Sequence, residues 1–278
     1  MTIREALALG RKQLQGVSPT AVQDARLLLQ FVLGVSPTFL VAHDDVGLTA
    51  VQQQHYTALL DRARQKEPIP YLVGTAPFFG MDFVVSPAVL IPRPETEQLV
   101  ELAIAWAQPR GSVRVMDVGT GSGCIAISLA VHLPQAEMTA VDISPAALAI
   151  AQQNALRHAP GRIHFHQGPL LSPLSHAVDL ITANLPYVTD GEWTDLDDGV
   201  KLYEPAVALK GGPDGLTIIQ ELLHEATTKL NPGSLILLEI GWQQGPAVQT
   251  LAQSVFPTAR VQVLPDLAGH DRIVRIDL

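Results

Sequence analysis

Up to residue 71 the apolar positions recur at helical spacing between clear punctuation. Thr2 with Glu5 has capping-box spacing and opens a helix to about Leu14. Ser18-Pro19 reads as an N-cap with a first-turn proline. Leu27, Leu28, Phe31 and Val32 form the apolar stripe that follows, and Gly34 ends it. Ser36-Pro37 starts a short third helix. Thr49 with Gln52 starts a fourth, which runs to about Lys66 before Pro68 and Pro70 stop it. These elements predict a helical domain over 1–73. Over 74–91, Phe78-Phe79 and Phe83-Val84-Val85 flank Gly80-Met81-Asp82, which predicts a β-hairpin linker. A loop at 91–94 leads to a helix over 95–107.

From residue 113 the pattern alternates. Strands are predicted at 113–118, 137–142, 163–167, 178–183 and 234–240, and helices at 123–132, 145–157, 216–230 and 246–256. Alternation at this spacing implies a parallel sheet covered on both faces, an α/β domain over 92–278. The segments 260–264 and 271–276 predict a terminal antiparallel hairpin. No internal repeat is present.

Composition narrows the class. The chain has 278 residues, 47% hydrophobic and only 16% charged, which excludes intrinsic disorder. Cys124 is the single cysteine, which excludes a disulfide scaffold and points to a reducing compartment. Arg4, Glu5, Arg11 and Lys12 leave no apolar signal core at the start. A long stretch without Asp, Glu, Lys or Arg, 118–136, holds Gly119, Gly121, Gly123, His132 and Pro134. It reads as a ligand loop and a buried helix rather than a membrane span, so a cytoplasmic protein without membrane contact is expected. The net charge of −9 is uneven: residues 1–97 contribute −1 and the remainder −8. An acidic body disfavours phosphate backbones as partners and favours a basic protein surface.

Three elements carry chemistry. The run Asp117-Val118-Gly119-Thr120-Gly121-Ser122-Gly123 joins a strand to a helix. Its glycines permit a sharp turn and close approach, and N–H groups at the helix start are expected to meet the ligand. Asp142 ends the next strand, where a carboxylate can accept both hydroxyls of a ribose. A dinucleotide fingerprint requires glycine at its sixth position, which here is Cys124. The Gly-x-Gly-x-Gly spacing led by an acid instead matches S-adenosylmethionine sites. The third element is Asn184-Leu185-Pro186-Tyr187, after the strand 178–183. Amino-methyltransferases carry a motif of this form facing the cofactor. A planar amide-type nitrogen is a poor nucleophile. The Asn184 oxygen can accept one N–H and the carbonyl of Leu185 the other, aiming the nitrogen at a methyl donor. Tyr187 is expected to pack on the amide plane and Pro186 to fix the loop.

Taken in order, 91–97 (Ile-Pro-Arg-Pro-Glu-Thr-Glu), the glycine loop, Asn184 to Tyr187, and Tyr203-Glu204-Pro205 resemble the HemK/PrmC family over nearly the whole chain. Residues 239–245 and 266–272 resemble it too. The resemblance implies a Rossmann-like class I S-adenosylmethionine-dependent methyltransferase domain behind a helical substrate-docking domain. It implies protein-glutamine methylation of class I peptide chain release factors at a Gly-Gly-Gln tripeptide, giving N5-methylglutamine and S-adenosylhomocysteine. By the family pattern Gly119, Thr120, Gly121, Ser122, Gly123 and Asp142 hold the cofactor, Asn184 touches cofactor and glutamine, and Asn184, Leu185, Pro186 and Tyr187 hold the glutamine side chain. Asp117, Ile143 and Leu170 join the expected cofactor contacts, and Arg93 and Glu95, on the loop near the site, read as orienting the motif loops, as capping the helix near Glu95, or as substrate contacts. No metal is implied, and no general base is identified. Three departures stand out: Leu185 where the family most often has proline, Gly168-Pro169 where many methyltransferases have an acid, and Leu170 where an aromatic often covers the adenine.

Rival readings are a ribosomal-protein glutamine methyltransferase, an RNA or DNA adenine-N6 methyltransferase, and a retired binding module. Asp190, Glu192, Asp195, Asp197 and Asp198 read as a solvated loop or as an attractor for a basic partner. Glu204 reads as a structural hydrogen-bonding group near the site, and Cys124 as inert packing. His164 and His166 lack a third ligand at zinc spacing. Trp193 and Trp242 fit either a substrate wall or the core. Nothing demands a dimer.

Overall fold

The N-terminal helices begin where side chains can satisfy their terminal backbone groups. In the computed structural model, which describes all 278 residues, the first unit comprises Met1–Thr75 and Asp197–Tyr203. It holds α1 (Ile3–Leu14), α2 (Ala21–Leu33), α3 (Pro37–Ala42), α4 (Ala50–Arg64) and α5 (Ile69–Val73). Both predicted capping boxes form: Thr2 with Glu5 and Thr49 with Gln52. Ser36 caps α3, and Gly34 ends α2 in the left-handed region at φ +66. Ser18 does not cap α2. Its hydroxyl donates to Asp24 at 2.5 Å, and the helix starts after Thr20. The prolines expected only to stop α4 also start α5, since a first-turn proline removes a donor that has no partner anyway. Ile3, Leu14, Leu28, Leu29, Tyr56 and Leu60 are buried at the centre of this bundle. The return of 197–203 to this unit is not foreseen by the sequence. Lys66 Nζ lies 2.7 Å from Asp198, and Tyr203 donates to the Gln65 carbonyl at 3.2 Å.

The second unit comprises Ala76–Leu196 and Glu204–Leu278. It opens with the hairpin β1 (Thr75–Phe78) and β2 (Met81–Val84). The turn sits at Phe79-Gly80, both at positive φ, so Met81 and Asp82 belong to the second strand rather than to the turn. A 3₁₀ turn, Pro94–Thr96, precedes α6 (Glu97–Ala107). Then follow β3 (Arg114–Val118), α7 (Cys124–His132), β4 (Glu137–Asp142), α8 (Pro145–His158), β5 (Ile163–Gln167) and β6 (Val178–Asn184). The chain continues through β7 (Val188–Thr189), α9 (Asp190–Asp195), α10 (Asp198–Tyr203), β8 (Lys210–Gly212), α11 (Thr217–Ala226), β9 (Leu230–Glu239), α12 (Gly245–Val255), β10 (Arg260–Pro265) and β11 (Asp271–Asp277).

Seven strands form one sheet in the order β10-β11-β9-β6-β3-β4-β5. β3, β4, β5, β6 and β9 run parallel, and β11 joins antiparallel between β9 and β10. One face buries Leu99, Ala103, Ile127, Leu129 and Ala155 of α6, α7 and α8. The other buries Ile219, Leu222, Leu223, Val248 and Ala252 of α11 and α12. Every residue of α7 from Cys124 to Ala130 is buried, which accounts for the charge-free stretch. No helix is long and apolar enough to cross a membrane. The acidic stretch after residue 189 is helical rather than loop, with α9 held by a Thr189–Glu192 capping box. Acids at a helix start oppose the helix dipole's positive end, so their density there marks a terminus. β7 and β8 pair parallel as a separate two-stranded sheet; two or three residues carry no readable period.

Register places the site. Val118 pairs with Val141 on one side and with Ala183 on the other. The carboxyl ends of β3, β4 and β6 therefore lie side by side. The chain runs outward from β3 to β4 and β5 and then returns to lay β6 on the other side of β3, and this reversal of strand order opens a crevice.

Candidate active site

A cavity of about 280 Å³ opens at those strand ends. The glycine loop forms its floor. Gly119, Gly121 and Gly123 have φ of +70, +56 and +81. A Cβ on Gly123 would fall 2.9 Å from Ile127 Cδ1 and one on Gly119 3.1 Å from Leu185 Cδ2, so the loop needs glycine for both conformation and space. Four N–H groups of the loop ahead of the helix are taken up within the protein. Gly119 and Thr120 both donate to the Val141 carbonyl, Gly123 donates to Thr120, and Gly121 donates to Asp142 Oδ2 at 2.8 Å. The loop spends these donors on its own shape.

Asp117 departs from expectation, because it does not line the cavity. It is fully buried beneath the loop and accepts from the Thr120 hydroxyl at 2.6 Å and the Thr182 hydroxyl at 2.9 Å. Burial pushes its carboxyl up to about 6, against the pull of both hydroxyls. Its role is to hold the loop down. Gly123, at the α7 cap, is likewise off the wall. Asp142 does line the cavity, with Oδ1 accepting from Ser144 N at 2.9 Å. Each oxygen takes one backbone bond and retains a lone pair for a ligand hydroxyl. Thr120, Gly119, Gly121, Ser122, Ile143 and Leu170 all line the cavity. Leu170 holds a left-handed φ of +43, with the next N–H tied to Glu225 at 2.9 Å.

The wall chemistry discriminates between ligands. Asp142 and Glu221 are the acids and Arg93 is the base. Arg93 is already paired with buried Glu204 at 2.5 Å. Spent donors and surplus acceptors suit a cationic nucleoside such as S-adenosylmethionine, and not a pyrophosphate. Glu204 also accepts from Ile91 N at 3.2 Å, so one carboxylate anchors the 91–93 edge of the cavity. Cys124 lies on the wall, but burial pushes its thiol up to about 12, far from a reactive thiolate.

Asn184, Leu185 and Pro186 reach the cavity from the end of β6. The Asn184 amide donates to Thr96 Oγ1 at 3.3 Å, and Thr96 donates to Glu239 Oε2 at 2.6 Å. Glu239 is cross-strand from Asn184 and 2% exposed. Burial pushes it up to about 7, with Thr96 and Arg272 opposing the rise. Tyr187 does not line the cavity. Its ring lies beside Gly241, its carbonyl accepts from Gln244 at 3.0 Å, and burial raises its hydroxyl to about 12. Glu95 is exposed on the 3₁₀ turn and also off the wall. Trp193 stacks under Lys210 and Trp242 is half exposed beside His270, so neither is a wall of this cavity.

The sequence pattern left Glu221 and Gly211 unmarked, and carried Thr96 and Glu239 only within longer motifs. The available signal for Glu239 is an acid ending an otherwise apolar strand, the position that also marks Asn184 and Asp142. Gly211, on β8, backs the motif loop. A Cβ there would sit 2.6 Å from the Pro186 carbonyl oxygen and 2.8 Å from Tyr187 Cα. Backbone cannot yield as a flexible side chain does. Gly211→Ala is therefore expected to displace the 184–187 loop and cut methyl transfer by about a hundredfold, the scale of a 1 Å misplacement. Steady-state kinetics check this, and a rate within threefold of wild type would refute it.

Comparison with known proteins supplies the family context. A family described as "PrmC N-terminal domain" matches residues 5–74, and one described as "Methyltransferase domain" matches 110–258. The release factor glutamine methyltransferase of Koribacter versatilis is 39% identical over 277 residues, covering 99% of this chain and 98% of that protein. The enzyme of the same name from Moorella thermoacetica is 41% identical over 276 residues, covering 98% and 97%. Among solved structures, a methyltransferase from Pyrococcus furiosus aligns with a TM-score of 0.54 at 17% identity. The match covers 72% of this chain and 90% of that one, a likeness of fold.

Proposed function

The chain belongs to the release factor glutamine methyltransferase family, and on that premise we propose that it methylates the side-chain amide of the glutamine in the Gly-Gly-Gln motif of peptide chain release factors, giving N5-methylglutamine. S-adenosylmethionine supplies an electrophilic methyl group on sulfur when bound. The observation that carries the reading is the meeting of Asn184 and the glycine loop in one cavity, on adjacent parallel strands.

The geometry supports the following roles. Asp142 would receive the ribose hydroxyls of the cofactor, and Gly119, Thr120, Gly121, Ser122, Ile143 and Leu170 would enclose the rest of the nucleoside. Asn184 Oδ1 accepts one N–H of the glutamine amide, and the Leu185 carbonyl accepts the other. Both acceptors gain strength as positive charge builds on the nitrogen, so they favour the transition state over the ground state. A backbone carbonyl serves whichever side chain stands at 185. Leu185 packs its side chain toward Gly119, which joins the motif to the loop. Arg93, fixed by Glu204, shapes the substrate edge. The proton shed by the methylated amide passes to solvent. Residues 1–73 dock the release factor, and the second unit carries out catalysis, with the hairpin expected as a linker packed into that unit's core and 88–91 on the cavity wall. The acidic charge of this part steers a basic protein partner toward the site, and neither nucleic acid nor membrane takes part.

Mass spectrometry of a purified release factor incubated with the enzyme and S-adenosylmethionine tests this reading. One methyl group on the Gly-Gly-Gln glutamine is expected, and none when that glutamine is replaced. Label entering ribosomal RNA or a ribosomal protein, with none in the release factor, would overturn it.

A further inference from the structure

We propose that Glu239 and Thr96 are positioning residues that fix which way the Asn184 amide faces, and so present its oxygen to the substrate nitrogen. The inference rests on the function proposed above. It starts from an ambiguity in chemistry: an asparagine amide turned by 180° keeps its shape but exchanges an acceptor for two donors. Only one orientation can receive an N–H from glutamine.

The network resolves the ambiguity. Ionised Glu239 can only accept, so the single Thr96 hydroxyl proton is drawn to it, at 2.6 Å. Thr96 Oγ1 then has only lone pairs to offer, and its other partner, at 3.3 Å, must be the Asn184 NH₂. Oδ1 is left for the cavity. The direction of each bond is dictated by the carboxylate at the end of the chain. The Thr96–Glu239 bond that sets this direction is buried, both residues being 2% exposed, so competing solvent cannot blur it at its source.

Protonation of Glu239 removes the constraint. A neutral carboxyl can donate to Thr96, which can then donate to Asn184 Oδ1, turning the NH₂ toward the substrate. The groups bearing on Glu239 are Thr96, Arg272 and the Asn184 amide itself, which favour the ionised form, Glu95, which opposes it, and the neutral Tyr187 and Cys124. Arg272 is itself held by Asp266 at 3.2 Å. The oriented state is therefore the high-pH state, and it is lost as pH falls through the neutral range.

The test is the pH profile of kcat and KM for release factor methylation by the full-length wild type and by Thr96→Val, Thr96→Ser and Glu239→Gln. Glu239→Gln is neutral at every pH and Thr96→Val has no hydroxyl. Each should lower kcat/KM for the release factor by roughly tenfold to a hundredfold, the scale of one mis-set hydrogen bond to a charged group. Both should also lack the acid limb that wild type shows near neutrality. Thr96→Ser, which keeps the hydroxyl, should restore wild-type rate and profile. The KM for S-adenosylmethionine should not move. Wild-type profiles in Thr96→Val and Glu239→Gln would overturn the proposal, and so would Thr96→Ser failing along with Thr96→Val. Should Glu239→Gln not fold, the threonine pair decides alone. A wild type that methylates no release factor refutes the functional reading itself, a result separable from either of these.

Discussion

Asn184→Ala is expected to lower kcat for methyl transfer to a release factor by about a thousandfold, with cofactor affinity falling only several-fold. Two losses combine. The substrate nitrogen loses the side-chain acceptor that aligns it, leaving only the Leu185 carbonyl. That acceptor is also the one that strengthens as the nitrogen becomes cationic, so its removal is felt in the transition state. Thr96 and Glu239 lose their outlet to the cavity but keep their own bond, and the β6–β9 pairing at this position is main-chain. The fold is therefore expected to survive. Single-turnover methylation followed by intact mass, beside a calorimetric titration with S-adenosylmethionine, separates the two effects. A variant with wild-type kcat would remove Asn184 from the chemistry.

Asp142→Ala is expected to weaken S-adenosylmethionine binding by at least about a hundredfold, while kcat at saturating cofactor stays within several-fold. Two carboxylate–hydroxyl hydrogen bonds to a ribose, each worth about 1.5–3 kcal/mol, supply that loss. The carboxylate also receives Gly121 N at 2.8 Å and Ser144 N at 2.9 Å, so its removal frees the glycine loop and the start of α8 together. Asp142→Asn, which retains one acceptor oxygen, should fall between the two. Calorimetry measures both variants. An alanine variant binding within threefold of wild type would place the ribose elsewhere in the cavity.

Much of this molecule was legible residue by residue. Capping boxes at Thr2 and Thr49, the left-handed Gly34 and the glycine spacing 119–123 are local devices, each complete within a few residues. Alternating strand and helix periods likewise specify a parallel sheet, and with it which strand ends carry Asp142 and Asn184. What lay beyond local reading was also informative. Glycine spacing does not say where the loop's own donors go. Gly119 and Thr120 donate to the Val141 carbonyl and Gly121 to Asp142, and both acceptors come from the neighbouring strand.

Tertiary structure alone decided the rest. Thr96 stands 88 residues from Asn184 and 143 from Glu239, yet the three form one hydrogen-bonded line. Gly211 touches Pro186 and Tyr187 only because β7 and β8 pair. No period, cap or turn links such positions, since those rules act over the reach of one turn or one hairpin. Contacts between distant residues depend on which strands lie side by side and in what register. A parallel sheet brings its strand ends together whatever length of chain runs between them.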